Sequence, residues 1–300
     1  MTRTLITGAA GFTGRYLTSL LAAQGCDVHA VVHRVPNVQI PGAVAIHVAD
    51  LTDHGAIAQV VAEVRPQHVV HLAAIAFVGH DDIGEMYRAN VVGTRHLLDA
   101  LSQLENSPAS VLLASSANVY GNAREGILDE TTPPAPANDY GVSKVAAEYV
   151  ARLYASKLPL IIARPFNYTG RGQANNFLIP KIVAHTRNRA SVISLGNVEV
   201  ERDFSDVRAV VAAYARLLNE PNAIGGTFNI CSGRAYSLRE ILVICEKLSG
   251  HHLSVHIDPA LVRSNDVRSL SGSIKKLSGV IGPLRSIPLD ETIDWMMTAQ

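Results

Sequence analysis

The chain has 300 residues, 48% of them hydrophobic and 17% charged, enough for one large or two coupled domains around a substantial core. Its 26 Lys and Arg balance 26 Asp and Glu, so no net field recruits nucleic acid or a membrane surface. Three scattered cysteines exclude a disulfide framework or a zinc site, and no stretch approaches the ~18 unbroken apolar residues of a membrane span. With no signal-peptide pattern at the start, a cytoplasmic protein is expected.

In chain order, Thr4-Leu5-Ile6-Thr7 reads as a strand that runs into Gly8, Gly11 and Gly14. A helical pattern follows (Tyr16, Leu17, Leu20, Leu21). Strand, glycine turn and helix form the unit in which backbone N–H groups meet a pyrophosphate, and glycine removes the Cβ that would block the approach. The second strand, Val28 to Val32, ends in His33-Arg34 with no acid to hold ribose hydroxyls; Arg34 suits a 2′-phosphate, which favours NADP(H) over NAD(H). Further strand-like runs at 43–48, 68–73, 110–115 and 159–164 alternate with helical stretches near 14–24, 54–64, 82–104 and 140–157. That alternation predicts parallel strands joined by crossover helices. Stretches 121–139 and 168–176 read as long irregular connections at the carboxyl edge of the sheet. Tyr140 and Lys144 stand four apart, which on a helix puts a phenol and an ammonium on one face. A cation there is expected to bring the phenol, ordinarily near ~10, towards the working pH.

Together these motifs resemble the extended short-chain dehydrogenase/reductase superfamily over nearly the whole chain. Val69 to Ala74, Asn90-Val91-Val92-Gly93-Thr94, Leu113 to Gly121 and Ala163-Arg164-Pro165-Phe166-Asn167 match its further segments in order. The resemblance implies an α/β fold: a Rossmann-type doubly wound parallel sheet (1–167 plus about 203–233) with a smaller α/β substrate-binding domain (about 168–202 and 234–300). It implies Ser116, Tyr140 and Lys144 as catalytic groups. Cofactor contacts would come from Gly8, Gly11, Phe12, Thr13, Gly14, Arg34, Asp50, Leu51, Leu72, Ala73, Ala74, Asn90 and Phe166, besides Tyr140 and Lys144. Two helical stretches, 82–104 and 140–157, are similar to those that build a four-helix interface in homodimers.

Asn118 narrows the chemistry. Members that dehydrate 4-keto sugars carry an acid two residues after the catalytic hydroxyl, and an amide cannot move protons at neutral pH. Ketone reduction therefore fits better than 4,6-dehydration; 4-epimerisation is the alternative, and a non-enzymatic NADP(H) sensor would be expected to have lost Tyr140 or Lys144. The substrate half resembles that of GDP-sugar enzymes, nearest to the GDP-4-keto-6-deoxymannose reductases of polysaccharide biosynthesis. That resemblance implies a nucleotide sugar, GDP-linked by preference, held by Ser115, Asn118, Asn167, Phe177, Lys181, Arg202, Arg263 and Asp266. His68 and His71 are read as packed within the fold, and His251, His252 and His256 lack the partners of a metal site. The Leu97/Leu98/Leu101 and Val145/Tyr149/Leu153 stripes are expected to pack against the sheet.

Overall fold

The computed structural model describes residues 1–37, 39–76, 82–121, 126–261 and 269–298. Seven parallel strands make the main sheet: β1 (Arg3–Thr7), β2 (Asp27–Val32), β3 (Ala43–Val48), β4 (His68–His71), β5 (Ser110–Ala114), β6 (Leu160–Pro165) and β7 (Thr227–Ile230). Their order is β3-β2-β1-β4-β5-β6-β7. Side chains alternate between two buried faces. Leu5, Val69, Val111 and Leu113 pack under helices His54–Val64, Gly93–Ser102 and Asp139–Arg152. Ile6, Val70 and Leu112 pack under helices Phe12–Ala23 and Val207–Leu218. Such two-sided burial explains why the strands read as apolar runs. The order reverses at β1, between β2 and β4, and this switch point opens a crevice at the carboxyl ends of the strands.

A second sheet joins Ala235–Ser237, Glu201–Asp206, Ser269–Gly272 and Gly126–Leu128, with Asn167–Thr169 pairing against Glu201–Asp206. Both stretches expected to be irregular thus contribute a strand to this sheet. Helices Leu178–Arg187, Leu238–Ser249 and Leu289–Met297 enclose its apolar core. Among the described residues, no helix is long and apolar enough to cross a membrane.

The helix of the Tyr140–Lys144 pair runs Asp139–Arg152 and stops short of 157. Its outward face corrects one expectation. Leu97, Leu98 and Leu101 do pack into the sheet, but Tyr149 and Leu153 are 58% and 72% exposed, with Val142 beside them. The buried stripe is instead Tyr140, Lys144, Ala147, Glu148 and Ala151, offset by about a quarter turn. The second long helix is interrupted: Ile83–Tyr87 continues through a π-helical turn, Arg88–Val92, into Gly93–Ser102. Such turns insert a residue and re-aim side chains near functional sites.

Candidate active site

The crevice begins at the glycine turn. Gly8 has φ +69°, and a Cβ there would meet Ala73 N at 2.8 Å, so only glycine lets the turn lie against the chain leaving β4. A Cβ on Gly14 would meet Gly8 O at 2.3 Å, which holds the helix close beneath the turn. Gly11 is the N-cap of helix Phe12–Ala23, brings no side-chain cap, and no acid stands in the first turn. Amides and helix dipole at this end are therefore suited to a pyrophosphate. Phe12 stacks on Tyr168, centroids 6.1 Å apart, and Thr13 Oγ1 lies 2.8 Å from Tyr168 OH. Leu72, Ala73 and Ala74 line the far side, half-buried. Arg34 projects into solvent just beyond β2, beside a contact between His33 Nε2 and Asp50 Oδ2 (3.4 Å). Asp50 also accepts from the Thr52 amide and hydroxyl, which lower its pKa. Leu51 lies behind it, its carbonyl 3.0 Å from His96 Nδ1.

Ser116 caps a short 3-10 turn, Ala117–Tyr120, that follows β5. Its Oγ accepts from the Asn118 amide N–H and from Asn118 Nδ2, both at 3.1 Å. Asn138 caps the facing helix by accepting from Gly141 N at 2.8 Å. Here Gly141 matters: an added Cβ would lie 2.6 Å from Asn118 O and 3.0 Å from Pro136 Cβ. Its hydrogen lets the first helical turn press against the Ser116 turn and brings Tyr140 beside the Ser116 hydroxyl. Tyr140 and Lys144 are 8% and 4% exposed.

Burial pushes the Tyr140 phenol up to about 12, partly offset by the hydrogen bond from Ser116. It pushes Lys144 down to about 8 against the pull of Glu148. The expected lowering of the phenol by its cation does not occur, because desolvation disfavours charge on both groups. Tyr140 is therefore a protonated acid at neutral pH. Beneath them His71, with a pKa lowered to about 3 by burial and then by Lys144, is neutral. Thr94 Oγ1 donates to Asn90 O (2.6 Å), so it accepts from His71 Nε2 (2.9 Å); Thr7 Oγ1 accepts from Ala73 N (3.2 Å) and donates to His71 Nδ1 (2.7 Å). That network assigns the Nε2–H tautomer. Asn90, on the π turn, accepts from Ile75 N (2.8 Å) and donates to Ile75 O (3.1 Å) and Ser143 Oγ (3.0 Å). Its side chain thus ties the cofactor-side loop to the Tyr140 helix rather than facing the crevice. His68 is bonded to Ser110 Oγ at 2.7 Å.

The rest of the constellation lies in residues that sequence reasoning passed over. Glu148, one further turn along the Tyr140–Lys144 stripe, accepts from Arg164 through Nε (2.9 Å) and Nη2 (2.7 Å) and from Ser115 Oγ (2.5 Å). Arg164 Nη1 donates to Tyr120 OH (3.1 Å), which donates to Asn229 Oδ1 (2.7 Å). Burial opposes the Arg164 charge, but the Glu148 hydrogen bonds and charge raise its pKa overall. Only the i+4 spacing of Glu148 from Lys144 was visible beforehand.

Ser115 is accordingly buried and bonded to Glu148, on the side of the strand away from Ser116. Phe166 is buried against Tyr120 and Leu128, in the core behind the crevice. Asn167 is exposed at the start of its strand, and Nδ2 donates to Asp203 O at 3.4 Å. Phe177 caps helix Leu178–Arg187 and is partly exposed. Lys181 Nζ donates to Ser194 O at 2.7 Å, and Arg202 Nη1 to Glu201 O at 2.8 Å. Arg263 and Asp266 fall outside the described residues.

Comparison with known proteins gives the same frame. A family model described as GDP-mannose 4,6 dehydratase matches residues 5–296. GDP-6-deoxy-D-talose 4-dehydrogenase of Aggregatibacter actinomycetemcomitans is 31% identical over 93% of this chain and 90% of its own. GDP-6-deoxy-D-mannose reductase of Pseudomonas aeruginosa is 31% identical over 98% and 97%. Among solved structures, a Burkholderia cenocepacia protein provisionally called an epimerase is 50% identical, with TM-score 0.93 and coverage of 99% and 97%. RMD from Pseudomonas aeruginosa complexed with NADPH is 29% identical, with TM-score 0.85 and coverage of 99% and 98%.

Proposed function

Because the chain belongs to the GDP-mannose 4,6-dehydratase family of extended short-chain dehydrogenase/reductases, and so is a nicotinamide-dependent oxidoreductase of sugar nucleotides, we propose that it reduces the C4 ketone of a GDP-linked 4-keto-6-deoxy sugar with NADPH. The observation that carries this reading is Tyr140: a buried, protonated phenol against the Ser116 hydroxyl, with an amide at 118 where an elimination would need an acid. Reduction requires one proton on O4 and one hydride on C4, and the reduced nicotinamide supplies the hydride when bound. Ser116 hydrogen-bonds the ketone oxygen, Tyr140 delivers the proton to it, and Lys144 holds the nicotinamide ribose. Gly8, Gly11, Phe12, Thr13 and Gly14 bind the pyrophosphate, and Arg34 takes the 2′-phosphate, in keeping with NADPH in the Pseudomonas aeruginosa neighbour. The talose and mannose relatives concern C4-epimeric sugars, so product configuration is set by how the ring lies over the nicotinamide. Val142, Tyr149 and Leu153 form the exposed face through which two copies pair.

The test mixes protein, NADPH and freshly generated GDP-4-keto-6-deoxymannose and follows the reduced cofactor. Stoichiometric NADPH loss with formation of a 6-deoxy sugar is expected. The Burkholderia cenocepacia neighbour favours a second reading, 4-epimerisation. Inversion at C4 of a GDP-6-deoxyhexose by the protein with NAD+ and no net change in the cofactor, while the keto sugar is left unreduced by NADPH, would establish that reading in place of the first.

A further inference from the structure

We propose that Asn118 is a positioning residue that fixes the Ser116 hydroxyl as a hydrogen-bond donor toward the reacting oxygen. This deepens the reductase reading and rests on it for its catalytic meaning, but not for its structural content.

A serine hydroxyl has two lone pairs and one proton. At Ser116 both lone pairs are engaged by one residue, through the Asn118 backbone N–H and the Asn118 Nδ2, each at 3.1 Å. What remains to Ser116 is its proton. That proton is available to an oxygen entering the crevice beside the buried phenol of Tyr140. Tyr140 in turn keeps its own proton free for the crevice. Asn118 donates to Ser116, and Ser116 and Tyr140 then both present a hydrogen to one substrate oxygen that must gain a proton. Asn118 is held in this pose from its other side as well: its carbonyl accepts from Gly121 N at 3.2 Å and abuts Gly141. An amide neither gains nor loses protons over the working range, so the direction of the chain is independent of pH. A carboxylate at the same place would accept the Ser116 proton and turn the chain round, which suits a site that must first remove protons from its substrate.

The ionisable groups around the pair leave a quiet window. On the helix, Tyr140 sits at about 12 and Lys144 at about 8; His71 from β4 sits at about 3; Tyr168, from the strand after Phe166, is raised by burial. None of these titrates between about pH 4 and pH 7, the range in which a buried introduced carboxyl does.

Two measurements test the assignment. The first is NMR of the ligand-free protein, with the Asn118 side-chain amide assigned by its loss in Asn118→Asp. Ser116→Ala should shift one Nδ2 proton and speed its exchange; an amide indifferent to Ser116→Ala means that the oxygen faces the serine, and the proposal is overturned. The second is the pH profile of Asn118→Asp, an isosteric change. Its kcat should drop about tenfold or more near neutrality and recover on acidification, with NADPH affinity unchanged. A profile parallel to that of the unaltered enzyme would also overturn the proposal. If the unaltered enzyme does not consume NADPH with the keto sugar, the reductase reading fails, and the NMR result alone decides the place of Asn118.

Discussion

Tyr140 and Lys144 lie in the same buried pocket, and burial acts on them in opposite senses. The phenol keeps its proton through the physiological range, while the ammonium sits close to losing its own. Tyr140→Phe is therefore expected to cut turnover by about a hundredfold or more while leaving NADPH affinity near that of the unaltered protein; a parallel loss of binding, read by fluorescence of the reduced cofactor, contradicts its role as acid. For Lys144 the sign is set by its lowered pKa. Below about 8 it is a cation able to bind ribose hydroxyls, and above that value it becomes a neutral amine. NADPH binding to the free enzyme should weaken as pH rises through about 8, and Lys144→Met should bind weakly with that limb gone. Arg34 stands in solvent beyond β2, free of the constraints of the core. Arg34→Asp should raise the dissociation constant for NADPH by about tenfold or more and that for NADH far less, because the carboxylate repels only the cofactor that carries a 2′-phosphate.

The elements around these residues were legible to different degrees, for physical reasons. Glycine spacing and apolar runs are local, so the β1 turn, the six expected strands and the Tyr140 helix could be read directly. The π turn at Arg88–Val92 could not, since its phase change leaves the surrounding sequence apolar and helical. The Glu148–Arg164–Tyr120–Asn229 chain could not either: its bonds join residues 16, 44 and 109 positions apart. The Tyr149 and Leu153 stripe misled because apolar spacing does not say whether a face meets a sheet or another surface. Two variants measure what these elements contribute. Glu148→Gln leaves Arg164 buried with its charge uncompensated and should lower unfolding free energy by about 3–5 kcal/mol in urea titrations. Gly141→Ala places a Cβ against backbone and should cost about 1–3 kcal/mol, with a larger proportional loss in turnover because Tyr140 is displaced from Ser116.

At the scale of the molecule, the exposed Val142, Tyr149 and Leu153 face and the crevice lie on one helix, so pairing of copies would brace the catalytic turn from outside. Tyr149→Asp combined with Leu153→Asp should yield monomers in sedimentation velocity; an unchanged sedimentation coefficient removes this face as the interface. The two sheets are also stitched together at the cofactor loop. Tyr16 OH donates to Arg171 O, Arg15 Nη2 to Gly172 O, and Arg171 Nε to Trp295 O, while the Trp295 indole meets the edge of Tyr16. The order of synthesis gives this stitch a consequence. Residues 8–16 are synthesised before the rest of both sheets, and the side chains that clamp their helix include Trp295, made about 280 residues later. The nucleotide loop is thus made well before one of the side chains that lock it, so the cofactor can act as a folding partner until translation reaches Trp295.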